Sequence, residues 1–236
     1  MLTVMQRDRG MGIGRGGRSG MEYMLFALDM IGTVAFGLSG AMTAIKKEMD
    51  VLGVIILGMV TAVGGGIMRD LILGNTPPQA FVQPVFALSA AAVSAMVFVI
   101  LYFHFKGYRQ ISEYWFQHML MAADTLGLGV FTVAGVRAAF EGGMGINYFL
   151  PVFLGTITGV GGGLLRDIMA GDRPYIFVKH VYASASILGA CVCVFCWRRF
   201  GENTAMLTGA VSVVVLRILA IRFRWNLPKV VYEEEW

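Results

Sequence analysis

The sequence predicts an all-α membrane protein with seven transmembrane helices, arranged as two inverted three-helix repeats plus a seventh helix. Three observations support this fold class. The 236 residues are 57% hydrophobic and only 14% charged, and the mean hydropathy is +0.69. The chain contains seven long apolar stretches, and a glycine-rich string occurs in it twice. This composition lies outside the range of soluble globular domains.

Each apolar stretch is long enough to span a bilayer, for which about 20 residues suffice. The predicted spans are, in chain order, 24–45, 51–73, 84–105, 115–138, 147–170, 177–197 and 204–221. Seven spans joined by short loops leave no room for a separate soluble domain. The net charge of +4 lies mostly in loops and tails, so it indicates membrane orientation rather than binding to nucleic acid.

The spans define the domain organisation. Residues 1–20 contain four arginines among glycines and no apolar run; they therefore lack the core of a signal peptide and predict a disordered N-terminal tail. We assign 21–112 to repeat 1, 113–200 to repeat 2, 201–225 to the seventh span and 226–236 to a C-terminal tail.

The internal repeat is visible in the sequence itself. The string from Thr61 to Gly74 recurs from Thr158 to Gly171 at an offset of 97, and Phe36 matches Phe131 at an offset of 95. Each repeat has three spans. Because three is odd, the second copy must enter the membrane upside down, as in many transport proteins whose functional site lies between the repeats.

The distribution of Lys and Arg predicts the orientation. With the N-terminus outside, the inner loops and C-terminal tail carry nine of these residues, while the outer loops carry three and the N-terminal tail four. We therefore expect a multi-pass protein of the cell (inner) membrane with its N-terminus outside and its C-terminus cytoplasmic.

Glycine triplets are the costly part of the repeated string, since each mid-helix Gly costs about 1 kcal/mol relative to Ala. Small residues spaced by four on spans 2 and 5 favour close packing of these helices. Some of the glycines lie off that row, and they favour a kink or break at mid-membrane, where freed carbonyls could bind a cation. Tight packing alone remains the alternative. The candidate pathway residues are Thr61, Gly64, Gly65, Gly66, Thr158, Gly161, Gly162 and Gly163.

Charged side chains near the span ends are the second set of candidates, because charges within the membrane are expensive. We expect an Asp29–Arg69 contact at one mouth and an Asp124–Arg166 contact at the other. Snorkelling to the interface, or purely structural ion pairs, is the alternative. The candidate mouth charges are Asp29, Arg69, Asp70, Asp124, Arg137, Arg166 and Asp167.

Two further features suggest no chemistry. The run Gly37-Leu-Ser-Gly40 matches the G-x-S-G of intramembrane serine proteases, but no span has a histidine base near its centre, and the counterpart of Ser39 is Ala134. The histidines lack metal-ligand spacing. We therefore predict no enzyme, no metal site and no cofactor. Arg217, in the seventh span, is interpreted as a cytoplasmic anchor.

Two three-span repeats with Gly-Gly-Gly-x-x-Arg-Asp in spans 2 and 5, followed by a seventh span, resemble the prokaryotic TRIC (trimeric intracellular cation) channel family, whose bacterial members are often labelled glycine-transporter-like. The resemblance covers residues 21–225. It implies a homotrimer in membrane lipid, with a pore in each protomer narrowed at glycine kinks 64–66 and 161–163. It also implies monovalent cations, mainly potassium, as the permeant ions.

The expected function is therefore a potassium channel, in which K⁺ or Na⁺ is bound only in passing. The alternative is a secondary transporter for glycine or another small amino acid, because inverted repeats with broken helices serve that function too. In that case Arg69 or Arg166 would hold the substrate carboxylate.

Overall fold

The fold consists of helices joined by short connections. A computed structural model of the chain describes residues 15–107, 113–143, 147–178, 181–223 and 225. In chain order the helices are α1 (Arg15–Lys46), α2 (Val51–Ile72), α3 (Gln79–Val82), α4 (Val85–Gly107), α5 (Glu113–Glu141), α6 (Phe149–Met169), α7 (Tyr175–Val178), α8 (Ala183–Phe200) and α9 (Glu202–Arg222). Among the described residues, all of these except α3 and α7 are long and apolar enough to span a membrane. The predicted all-α membrane fold with seven spans is confirmed.

Two predicted boundaries differ from the structure. Helix α1 begins at Arg15, so residues 15–20 of the predicted tail are helical. Extending an existing helix costs far less than starting a new one. The predicted sixth span began too early, because Phe177 belongs to the short α7 and α8 begins at Ala183. Residues 1–14 and 226–236 lie outside the described residues.

The repeated string ends in the same way in both copies. Gly74 and Gly171 directly follow the C-caps of α2 and α6, with φ of 75° and 70°. Glycine adopts this left-handed conformation without a steric penalty and commonly terminates helices. The last residue of the repeated string is therefore a helix stop.

The helices pack as two bundles that follow the repeats. Helices α1, α2 and α4 form one bundle, and α5, α6 and α8 form the other; α9 packs on α8 and α5. The bundles meet along α1–α5 and α2–α6. At this interface Phe36 contacts its own counterpart Phe131, with ring centroids 5.3 Å apart. A residue that meets its counterpart indicates a two-fold relation between the copies, while the predicted inversion in the membrane remains a prediction.

The exterior of the bundles is apolar. Large hydrophobic side chains with more than two fifths of their surface exposed occur on every spanning helix, among them Ile56, Met96, Phe153, Phe195 and Leu207. Such a surface is costly in water and suits lipid. The polar groups are instead concentrated between the bundles, where the candidate residues lie.

Candidate functional site

The glycine triplets lie where α2 crosses α6. A Cβ on Gly65 would collide with the backbone oxygen of Thr158, and a Cβ on Gly162 would collide with that of Thr61. The two helices therefore touch backbone to backbone, and only glycine fits at these two positions. The glycines off the small-residue row are thus explained by packing between the bundles.

The expected break in these helices is absent. Helix α2 runs without interruption from Val51 to Ile72, and α6 from Phe149 to Met169. Their carbonyls at the crossing are consequently engaged in helical hydrogen bonds rather than freed. A break is not needed because the crossing itself accounts for the missing side chains; a bend without a break stays a prediction.

Thr61 and Thr158 have matching surroundings and are both fully buried. Their hydroxyls donate to Leu57 O and Leu154 O, each at 2.6 Å, within their own helices. Each hydroxyl also fills the space where a Cβ on Gly40 or Gly135 would lie. These threonines therefore tie neighbouring helices of one bundle together.

The remaining triplet glycines differ between the copies. A Cβ on Gly163 would lie 2.6 Å from the Tyr182 hydroxyl, whereas the nearest atom at Gly66 is Arg69 Nη2 at 3.8 Å. A Cβ on Gly64 would collide with the Leu165 side chain, and a Cβ on Gly161 would lie 3.1 Å from Gly65 Cα. The third glycine of the triplet is thus tightly packed in repeat 2 and open in repeat 1, whereas the first glycine is closely packed in both.

Arg166 is the centre of a fully buried polar cluster. Its Nη1 donates to Asp124 Oδ1 at 2.6 Å and to Ser39 Oγ at 2.5 Å. Its Nε donates to Asp167 Oδ1 at 2.9 Å, and its Cζ lies 5.1 Å from the ring centroid of Tyr175. The guanidinium is 0% exposed, so it closes this part of the interface. The predicted Asp124–Arg166 contact is found.

Arg217 and Tyr182 complete the buried cluster. Arg217 Nη2 lies 3.7 Å from Asp124 Oδ2, and its Cζ lies over the Tyr182 ring at 4.7 Å. Its interpretation as a cytoplasmic anchor is wrong, because its side chain is buried against Asp124 instead of reaching the membrane surface. The cluster therefore holds two carboxylates and two guanidinium groups, which balance in formal charge.

The equivalent arginine of repeat 1 lies in a more open setting. Arg69 donates from Nε to Asp70 Oδ1 at 2.9 Å and keeps 18% of its side chain exposed. The predicted Asp29–Arg69 contact does not take the form of an ion pair. Both residues instead line the same cavities, of ≈ 90 Å³ and ≈ 550 Å³. The larger one, which we name the Arg69 cavity, also contains Arg137, paired with Glu141 at 2.6 Å.

A second cavity lies at the other end of α5. It has a volume of ≈ 330 Å³, and we name it the Arg217 cavity. Its lining residues Leu120, Lys46 and Lys47 are the repeat counterparts of Leu25, Glu141 and Gly142, which line the Arg69 cavity. The two cavities are therefore equivalent positions of the two repeats.

The aspartates of the two Arg-Asp pairs make equivalent hydrogen bonds in the two repeats. Asp70 Oδ2 accepts from the backbone N of Gln79, and Asp167 Oδ2 from that of Tyr175, both at 2.8 Å. Each carboxylate thereby joins its own arginine to the first residue of the following short helix. The contacts of these two aspartates therefore agree with the alternative interpretation from the sequence, that the charges form purely structural ion pairs.

Four residues that contact the cluster were not among the sequence-based candidates: Ser39, Tyr175, Tyr182 and Arg217. The signal for Arg217 was present, because an arginine within a span usually faces the protein interior and a carboxylate. Ser39 was considered only as a nucleophile. The difference between Ser39 and Ala134 nevertheless shows in the sequence why Arg166 has a hydroxyl partner that Arg69 lacks.

The chain matches a known family over both repeats. The sequence model of a family described as glycine transporter matches residues 26–102 and 121–198. These two segments fall in repeat 1 and repeat 2. The UPF0126 inner membrane protein YadS of Escherichia coli K12 is 36% identical over 213 residues, which are 89% of this chain and 98% of that protein.

Solved structures with the same fold are cation channels. One TRIC cation channel, studied for its conductance, is 35% identical with a TM-score of 0.75 over 89% of this chain and 98% of its own. The trimeric intracellular cation channel orthologue from Rhodobacter sphaeroides is 30% identical with a TM-score of 0.76 over 86% and 99%. The two repeats, the seven spans and these matches over nearly the whole of both channels lead to one conclusion: the chain belongs to the prokaryotic TRIC family, whose bacterial members carry glycine-transporter-like labels.

Proposed function

We propose that the protein is a monovalent cation channel, conducting mainly potassium, with its pathway between the two bundles of each protomer. The observation that carries the proposal is the pair of equivalent cavities at opposite ends of this interface, separated by the α2–α6 crossing and the Arg166 cluster. Polar groups rarely line the inside of a membrane protein unless they serve a pathway or a site. The named structural relatives are cation channels.

The described conformation is closed on the side of Arg166. A guanidinium that is fully buried between the bundles blocks the space and repels a cation. Opening requires it to leave Asp124 and Ser39, to which it now donates. Arg69, partly exposed in its cavity, leaves its own side more open.

The narrowest part of the proposed pathway lies beside the glycine crossing, where α2 and α6 are in contact. Because α2 and α6 are continuous there, they offer small surfaces and engaged carbonyls rather than a ring of free carbonyl ligands. Selectivity among monovalent cations is then modest, since strong selectivity relies on such rings. No cofactor takes part in this function, and K⁺ or Na⁺ is the transported ion.

The assembly we propose is a homotrimer in the inner membrane, with the N-terminus outside. The trimer is supported by the name of the Rhodobacter relative, and the inner membrane by that of the Escherichia coli relative. The orientation rests on the bias of Lys and Arg.

Glycine transport is the second candidate, favoured only by the description of the matched family. The arginines that would hold the substrate carboxylate are already paired, Arg166 with Asp124 and Arg69 with Asp70. A substrate would have to displace these internal carboxylates.

Flux in liposomes tests the proposal directly. Purified protein is reconstituted, and potassium flux and glycine uptake are measured side by side, with protein-free liposomes as the control. We expect potassium flux with unitary currents in planar bilayers and no gradient-coupled glycine uptake. Saturable glycine uptake without unitary currents would replace the channel with the transporter.

A further inference from the structure

The two equivalent cavities carry opposite charge. Three acidic and two basic side chains line the Arg69 cavity, giving a formal charge of −1. Four basic side chains and one acidic side chain line the Arg217 cavity, giving +3. At one pair of equivalent positions the sign is reversed outright, with Glu141 in the first cavity and Lys46 in the second.

The imbalance remains after pairing is considered. In the Arg69 cavity, Arg69 pairs with Asp70 and Arg137 with Glu141. This leaves Asp29, which forms no ion pair with any described residue, although Arg137 and Arg69 lie within electrostatic reach of it. The formal charge of the cavity therefore stays at −1. Arg137 also lies 3.3 Å from Glu202, so its own charge is doubly compensated.

In the Arg217 cavity, the charge that is left after pairing is positive. Lys47 pairs with Asp172 at 2.6 Å, and Arg217 is directed to Asp124. Arg173 forms no ion pair with any described residue, and Lys46 has only Glu113 at 3.9 Å, with both side chains largely exposed. Two cations therefore dominate the potential at this entrance.

We propose that the pathway rectifies: cations pass more readily from the Arg69 cavity to the Arg217 cavity than in the reverse direction. This inference rests on the proposed channel function. Fixed charge in a concave entrance changes the local concentration of permeant ions. A negative entrance gathers cations and a positive one depletes them, so equal voltages of opposite sign drive unequal currents.

The expected size follows from Coulomb's law. A unit charge about 8 Å from the ion contributes about 0.5 kcal/mol in water, which changes the local cation concentration about twofold. The effect disappears at high salt, since the Debye length shrinks from about 10 Å at 0.1 M to about 3 Å at 1 M. Salt dependence therefore separates this cause of rectification from a voltage-driven gate.

Single-channel currents of the full chain in planar bilayers test the inference. Orientation is fixed with N75C in a cysteine-free background, because Asn75 lines the Arg69 cavity. A membrane-impermeant thiol-reactive biotin followed by streptavidin shows which chamber that cavity faces. At about 50 mM KCl we expect the current entering there to exceed the reverse current about twofold, and the ratio to approach one at about 1 M.

Charge-removing variants identify the residues responsible. D29N and R173Q should each bring the ratio closer to one, and together they should reduce the asymmetry further than either alone, while Lys46 keeps part of it. R222Q is the matched control, since Arg222 lies at the same end of the molecule but lines an adjoining lateral groove and not the Arg217 cavity itself. Symmetric currents at low salt, or asymmetry unchanged by D29N and R173Q, would overturn the inference while leaving the channel in place. Absence of any current would overturn both.

Discussion

At the scale of single residues, the two copies of the repeated motif place their arginines in different surroundings. Arg166 is enclosed by carboxylates and a serine, whereas Arg69 keeps part of its side chain open to a cavity. The difference comes from a few neighbouring residues, mainly Ser39 against Ala134 and the presence of Arg217. Each of these can be tested by substitution.

Ser39 is expected to stabilise the closed conformation. S39A removes one hydrogen bond to a charged group, a loss of about 1.5–3 kcal/mol, if the bond is formed only when the pathway is closed. Potassium flux through reconstituted protein should then rise at least about tenfold. S94A is the control, because Ser94 is a buried serine that donates to backbone oxygens, of Ala90 at 2.7 Å and Gly37 at 3.4 Å, and not to a charged group. An unchanged flux in S39A would remove the serine from gating.

Arg217 is expected to balance the charge of Asp124. R217Q leaves this fully buried carboxylate with Arg166 as its only cation, and breaking a buried ion pair costs about 3–5 kcal/mol. We expect a lower unfolding midpoint in detergent. Adding D124N should recover part of the loss, because coupled residues are not additive. Full additivity of the two changes would show that they do not interact.

At the scale of helices, the α2–α6 crossing is the element that unites the repeats. G65A and G162A each place a methyl group against a backbone oxygen of the other helix. Such overpacking costs about 1–3 kcal/mol, and we expect lower thermal midpoints for both variants. G66A is the matched control in the same triplet, since its nearest neighbour is the flexible end of Arg69 at 3.8 Å. Equal midpoints for all three variants would contradict the packing role.

The helices also show what the sequence could and could not predict. Apolar length and the repeat offset were sufficient to predict all seven spans, because hydrophobic burial dominates that choice. The break at the glycines was wrong, since glycine spacing alone does not reveal which atoms of another helix occupy the free space. The Arg217 contact with Asp124 joins residues 93 positions apart, and no local pattern carries such a contact.

At the scale of the whole molecule, the two cavities should face opposite sides of the membrane. In a cysteine-free background, N75C reports on the Arg69 cavity and R173C on the Arg217 cavity. We expect a membrane-impermeant maleimide to label N75C in intact cells and R173C only after permeabilisation, as the N-terminus-outside orientation requires. The reverse pattern would invert the orientation, and labelling of both from one side would refute the inverted repeats.

The reciprocal glycine contact has a mechanical consequence. No side chain separates α2 from α6 at Gly65 and Gly162, so the two helices cannot approach each other further at this contact. We expect their relative motion to be a rotation about it. Met169 lies seven residues beyond Gly162, or about 10 Å along the helix. A rotation of about 10° would therefore displace the C-terminal end of α6 by about 2 Å, while the contact between Gly65 and Gly162 stays in place.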